Sequence, residues 1–331
     1  MDNFNQSDDA FQASGLPKTF EQAVAKIIDI ALEEIDKQRV EKALFYHTVT
    51  HAKAVKRRAR TIFNTISPYI SKNNVDSLTL NKFEQFPHLL DLSAICHDLV
   101  QNFLPPSHLQ LPRQRQPGMS EKASIEKVFE IIDVLNQQHQ QTNKPPLFNA
   151  WHKQNIEEMI EATICLVERD TGELYQPALY DTKKNLSFPR RIIALADLGC
   201  LGMEGIEAYR KEGKWVVLEE NPHIIPDLVN KNPTLLESIR TRLFNRCNFQ
   251  LSFAKSRLSR FSQEVAGLPE PAIELLSSQV FKYLNSDTIT ELEEITPQNP
   301  DTSLEELVEF FDLGYWWNQE NNRDIISDLR R

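Results

Sequence analysis

The run Leu89-Leu90-Asp91-Leu92-Ser93-Ala94-Ile95-Cys96-His97-Asp98-Leu99-Val100 constrains the fold more than any other stretch of the chain. It lies inside the most apolar long segment, Phe83 to Phe103, and is hydrophobic nearly all round. A helix of that kind has no face to offer water, so other elements must enclose it. Long stretches containing Leu, Ala, Glu and Lys dominate the rest of the chain. Only 9 of the 331 residues are Gly, which leaves few sites for tight hairpins. The expected fold is all-α: a helical bundle with a C-terminal helical extension packed on it.

The punctuation of the chain suggests its organisation. Residues 1–16 read as a disordered tail, 17–215 as a helical domain, and 216–331 as the extension. Pro17 or Thr19 opens a helix whose apolar positions Ala23, Ile27, Ile28, Ala31 and Ile35 recur at helical spacing. The pattern continues through 46–63, with Val49, Ala52, Val55, Ala59 and Ile62 along one face. Polar residues 71–81 break it. Prolines make 104–119 a loop carrying His108, Arg113 and Arg115. Ser120 is a good N-cap for a helix from about Glu121 to Gln138. Trp151 to Val167 reads as helical and 169–187 as irregular. Pro189 suits the first turn of the helix carrying Arg190 to Gly202. Prolines 222, 226 and 233 mark a short connection, then a long amphipathic helix runs from Thr234 to about Val265. Two or three shorter helices follow.

The net charge is −10, with 40% hydrophobic and 25% charged residues. An acidic chain lacks the basic footprint of a nucleic-acid binder, although a local basic pocket for phosphate stays open. The four cysteines are far apart and read as buried free thiols. No apolar run reaches the roughly 20 residues that span a bilayer. The polar, acidic N-terminus does not resemble a signal peptide, so a cytoplasmic protein without membrane contact is expected. A homo-oligomer stays open.

Three features carry chemistry. His97-Asp98 sits in the apolar segment, where an ionised Asp needs a partner or a cation. His47 and His51 lie four apart, a spacing that stacks two imidazoles on one helical face. Asp197 sits in another apolar run. Each alone has a plain explanation: a buried ion pair, a satisfied histidine or a capped Asp. Together, two of these imidazoles and the two carboxylates would make a mixed nitrogen and oxygen site. It suits one divalent transition metal (Mn, Fe, Co, Ni or Zn), with Mg as an alternative. Four protein ligands leave positions open for water and a phosphoryl oxygen.

The ordered segments YHTVTHAKAV, AICHDLV and ALADLG resemble the H…HD…D signature of the HD superfamily of metal-dependent phosphohydrolases, over roughly residues 40–205. The resemblance implies a bundle of about five core helices around a metal held by His51, His97, Asp98 and Asp197. YHTVTH also looks like the opening motif of cyclic nucleotide phosphodiesterases, in which the earlier His donates a proton to the leaving group. His47 matches that position. Two departures matter. The stretch 151–167 has no inward His for a second metal, so one ion is expected. Gln101-Asn102 stand where the alarmone hydrolases of the superfamily carry Glu-Asp, which weakens a guanosine-tetraphosphate reading.

SEKASIEKVFEII resembles the E-x-x-S-A helix that follows HD in many members. Glu121 is accordingly a candidate to orient or deprotonate water, or simply a first-turn Glu that suits the helix dipole. Arg190, two turns before Asp197, is a candidate phosphate ligand or a solvated Arg near a helix start. Arg113 and Arg115 are candidates to close over a substrate. The cluster GYWWNQ reads as a clasp or an interface. The expected function is a metal-dependent phosphomonoesterase or phosphodiesterase whose partner is a phosphorylated small molecule of nucleotide type. The alternatives are a non-catalytic, regulatory HD module binding a nucleotide or protein partner, and a helical scaffold with merely paired His and Asp.

Overall fold

A computed structural model describes residues 15–70, 77–105, 111–169, 172–180 and 188–318, with only the backbone described for 77–83. The expected tail falls outside the described residues except at Gly15 and Leu16, and Leu16 packs against the core. His108 also lies outside them.

The fold is all-α. Helix α1, Phe20–Lys42, opens on Thr19, whose hydroxyl accepts from the Gln22 amide. It stops at Ala43, which takes the left-handed conformation at φ 48°. The expected unbroken helical run through residue 63 is therefore interrupted. Residues 43–48 form a bend, and α2, Val49–Ile66, starts afresh after Thr48. His47 thus precedes its helix instead of riding on it.

Helix α3, Ser77–Cys96, is the enclosed element that the apolar run demanded. It packs against α1, α2, α4 (Met119–Gln141), α5 (Ala150–Glu161) and α6 (Phe188–Asp197). Leu89, Leu90, Leu92, Ala94, Ile95 and Cys96 are all buried. At roughly 25 cal/mol per Å² of apolar area removed from water, this stripe is a dominant stabilising element. The helix ends at Cys96, so His97 and Asp98 occupy the turn beyond it.

That turn is held by side chains. Gln38 Nε2 donates to the Leu99 carbonyl at 2.9 Å. The Val100 amide donates to Ser124 Oγ at 2.9 Å, and the Asn102 amide to Ser120 Oγ at 3.0 Å. Ser120, expected as an N-cap, does this instead. Gly118, in the left-handed region at φ 78°, precedes α4 in its place. Helix α5 ends at Glu161, short of the expected Val167, and Leu166–Val167 pair antiparallel with Leu174–Tyr175.

The later chain comprises α7 (Cys200–Glu204), α8 (Ile206–Glu220), α9 (Ile224–Asn230), α10 (Pro233–Glu264) and α11 (Glu270–Leu275). A π-helical turn, α12 (Ser286–Ile295), α13 (Leu304–Phe310) and α14 (Gly314–Trp317) follow. The expected connection at 222–233 contains α9, with Pro226 in its first turn. Two apolar cores result. The larger joins α1 to α6 and takes in Leu251, Ala254 and Phe261 of α10. The smaller joins α8, α9, α13 and the other end of α10 through Leu218, Leu228, Leu243 and Leu307, with Trp316 and Trp317 packed on it. Helix α10 therefore spans both cores. Among the described residues, no helix is long and apolar enough to cross a membrane. The four cysteines are free, and all but Cys165 are buried.

Candidate metal centre

Three elements converge on one point. The first turn of α2 brings His51, the turn after α3 brings His97 and Asp98, and the last residue of α6 is Asp197. One ligand atom from each lies within 4.8 Å of all the others, so the four form a cluster that could hold a metal ion. His97 Nε2 stands 2.9 Å from Asp98 Oδ2 and 3.4 Å from Asp197 Oδ1. His51 Nε2 stands 3.4 Å and 3.6 Å from the same two oxygens.

The donor atoms point to a cation. His97 Nδ1 donates to the Ala94 carbonyl at 2.9 Å, which leaves Nε2 as the nitrogen with a lone pair. His51 Nε2 and His97 Nε2 are buried, yet neither makes a hydrogen bond of acceptable geometry. Orphaned buried nitrogens facing carboxylates are costly in an apolar bundle and natural around a metal. The remaining carboxylate oxygens are held by amides. Gln101 Nε2 donates to Asp98 Oδ1 and Gln176 Nε2 to Asp197 Oδ2, both at 2.9 Å. These orienting contacts are of the kind that fix metal ligands in place. Gln176 carries no sequence signal, since it lies in the irregular stretch after the hairpin.

Burial alone would raise the Asp98 carboxyl, but the imidazoles of His97 and His47 beside it hold it well below the carboxylate range. Asp197 is lowered to about 2, its burial outweighed by the His51 and His97 imidazoles that face it. Desolvation together with the nearby carboxylates raises the half-buried Cys165 thiol on the cavity wall, which disfavours its thiolate.

His47 is buried beside the cluster, its Nε2 3.6 Å from Asp98 Oδ2. Its Nδ1 pairs with the carboxylate of Glu219, which has no exposed surface. Glu219 also accepts the backbone amides of Phe45, Tyr46 and His47 at 3.0, 2.9 and 3.0 Å. Arg115 donates to Glu219 at 2.7 Å and lies 3.0 Å from His47 Nε2. Burial would raise the Glu219 carboxyl, yet His47 and Arg115 lower it to about 2. Glu219 was not anticipated from the sequence. An acid ending the apolar run Trp215-Val216-Val217-Leu218 was the available signal, of the kind that singled out Asp98 and Asp197.

A cavity of about 370 Å³ opens on the cluster, lined by His47, His97, Asp98 and Asp197, with Glu121 on its wall. Burial, then the charges of Asp98 and Asp197, raises the Glu121 carboxyl, which moves it towards the range of a general base. Arg113 and Arg115 line the cavity as well. Arg190 is not among the lining residues and instead faces Glu158 at 3.3 Å. A larger cavity of about 870 Å³ shares Tyr46 and Glu212 with the first. Its guanidinium groups are already matched: Arg39 by Asp36, Arg57 by Glu204, and Arg58 by Glu204 and Glu212. The smaller cavity holds three of the four candidate ligands, His97, Asp98 and Asp197, while His51 lines the larger one. A scan against protein-family models, a search of curated proteins and a search of solved structures each return no match.

Proposed function

We propose that this protein is a metal-dependent phosphohydrolase of the HD type, acting on a phosphoester of nucleotide type. One observation carries the proposal: four ligand atoms from three elements converge within 4.8 Å, and two of them are buried imidazole nitrogens with no hydrogen-bond partner. His51, His97, Asp98 and Asp197 would hold a single divalent ion. Such an ion supplies Lewis acidity towards a phosphoryl group and a lowered pKa for water.

The chain's own groups do the rest. Gln101 and Gln176 fix the two carboxylates. Arg113 and Arg115 bring positive charge to the cavity wall, where a phosphate gains charge-assisted hydrogen bonds. Glu121 would take a proton from water. His47, anchored through Nδ1 by Glu219, turns Nε2 towards Asp98 and would exchange a proton with the leaving oxygen.

The test is elemental analysis of protein purified under metal-replete conditions, followed by hydrolysis assays on the same sample. About one equivalent of a transition metal and turnover of phosphoesters are expected. Protein without stoichiometric metal would sink the proposal. Metal-loaded protein inactive on nucleotides and general phosphatase substrates would favour a regulatory module.

A further inference from the structure

The cavity at the cluster is walled in part by α10, a helix of the C-terminal extension, through Arg246, Phe249, Gln250 and Phe253. The spacing of three, four and seven residues puts these four on one helical face. The Phe249 and Phe253 rings lie parallel, 4° apart in plane and 6.1 Å between centroids. Together they form an aromatic ledge of two parallel, stacked rings on the cavity wall. The Arg246 guanidinium sits 4.9 Å from the Phe249 ring, which holds it by cation–π attraction.

Two polar groups of this wall want partners. Arg246 Nε is buried without an acceptor, and among the described residues Arg246 forms no ion pair with a carboxylate. The Gln250 side chain is nine-tenths buried or more. Its Nε2 donates to the Tyr209 carbonyl at 3.0 Å, while Oε1 receives no donor. A guanidinium needing acceptors, an amide oxygen needing a donor and an aromatic ledge together describe a planar ring with a mixed edge. Buried polar groups left unpaired are costly, so a ligand that satisfies them is selected over one that does not.

We infer that the C-terminal helix α10 reads the base of a nucleoside monophosphate, and that the base is guanine. This rests on the phosphohydrolase reading only for the placement of the phosphate. Guanine offers adjacent O6 and N7 acceptors to a guanidinium fork, and the N1–H and exocyclic amino donors on the next edge. Adenine places an amino group beside N7 and would set donor against donor. Phe253 supplies the stacking surface, Arg246 contacts O6 and N7, and Gln250 Oε1 accepts from the ring. A cavity of about 370 Å³ falls in the size range of small-molecule sites.

Calorimetric binding of GMP, AMP and ribose 5-phosphate to the full chain, with and without saturating Mn²⁺, tests this directly. GMP is expected to bind at least about 10-fold tighter than AMP. Arg246→Met, and Arg246→Lys, which keeps the charge but loses the fork, should abolish that preference and leave ribose 5-phosphate unchanged. Phe253→Leu should weaken both nucleotides. Equal binding of GMP and AMP by the unaltered protein overturns the inference. So does a loss of ribose 5-phosphate binding in Arg246→Lys as large as the loss of GMP binding. Hydrolysis of p-nitrophenyl phosphate separates the two readings. Protein that cleaves it yet binds all three ligands alike refutes base recognition alone. Metal-loaded protein that cleaves nothing yet prefers GMP refutes the hydrolase alone.

Discussion

Two sets of buried imidazoles in the same bundle differ in one respect. At the cluster, the His47, His51 and His97 rings lie 5.5–5.8 Å apart in sequence order, and two of them keep unpartnered Nε2 atoms beside carboxylates. His152, in the first turn of α5, is equally enclosed but satisfied. Its Nδ1 accepts the Asn149 amide at 3.1 Å, its Nε2 donates to Gln85 Oε1 at 2.9 Å, and its ring stacks on Phe20 at 4.6 Å. Burial of a histidine is therefore not the signature of a ligand. The signature is a nitrogen that the protein leaves without a partner while bringing carboxylates to it.

The sharpest way to break this comparison is to remove one histidine from each set. His97→Ala or Asp98→Ala should weaken metal binding by more than about 100-fold, as read by elemental analysis. His152→Gln should retain the metal and cost roughly 1–3 kcal/mol of folding stability, as read by urea unfolding. Equal loss of metal from both variants would erase the distinction.

The next effect concerns Glu219. Glu219→Gln removes the charge that His47 and Arg115 share, which is expected to cost on the order of 3 kcal/mol and about 100-fold in turnover. A larger effect on kcat than on KM would mark a positioning residue. A fall in KM-dependent binding alone would count against that role. A smaller effect follows from metal itself. At 100 times its dissociation constant, a bound ion should stabilise the protein by about 2.7 kcal/mol. The gain should persist in His152→Gln and vanish in His97→Ala, in thermal melts with and without chelator.

The smallest effect is one of pH. Burial depresses His152 to about 4, and His223 likewise, the latter helped by the charge of Arg242. Above about pH 6.5 both are neutral in folded and unfolded chains and contribute nothing. As the pH falls from there to about 4, the unfolded imidazoles take up protons first, so stability declines, and the decline ends below the folded value. Urea midpoints should therefore drop across that window, and His152→Gln should flatten part of the drop while His223 supplies the rest.

The cluster was legible in the sequence because its members are polar residues in apolar runs, where water cannot explain them. The same logic located α3 at the centre of the bundle. Backbone details were less visible. Nothing in Lys42-Ala43-Leu44 announces a left-handed residue, so His47 read as helical when it lies in a bend. Ser120 has the chemistry of a cap, and only the fold shows that the Asn102 amide claims it. Arg190 has the right spacing from Asp197, but Glu158 on α5 faces it. Glu219 and Gln176 act across long separations in sequence, and pairings of that kind are set by tertiary packing, not by local pattern.

The candidate ligands at positions 51, 97, 98 and 197 sit on elements that meet only when the larger core has assembled. That core is built from apolar contacts, so its assembly does not wait for an ion. Metal acquisition would then be a late step, made by a finished pocket whose imidazoles are already aligned, unlike small domains that fold around their ion. Which ion would enter is decided by the supply at that moment as much as by the donor set, so a metal found in the purified protein would report the growth medium as well as the site.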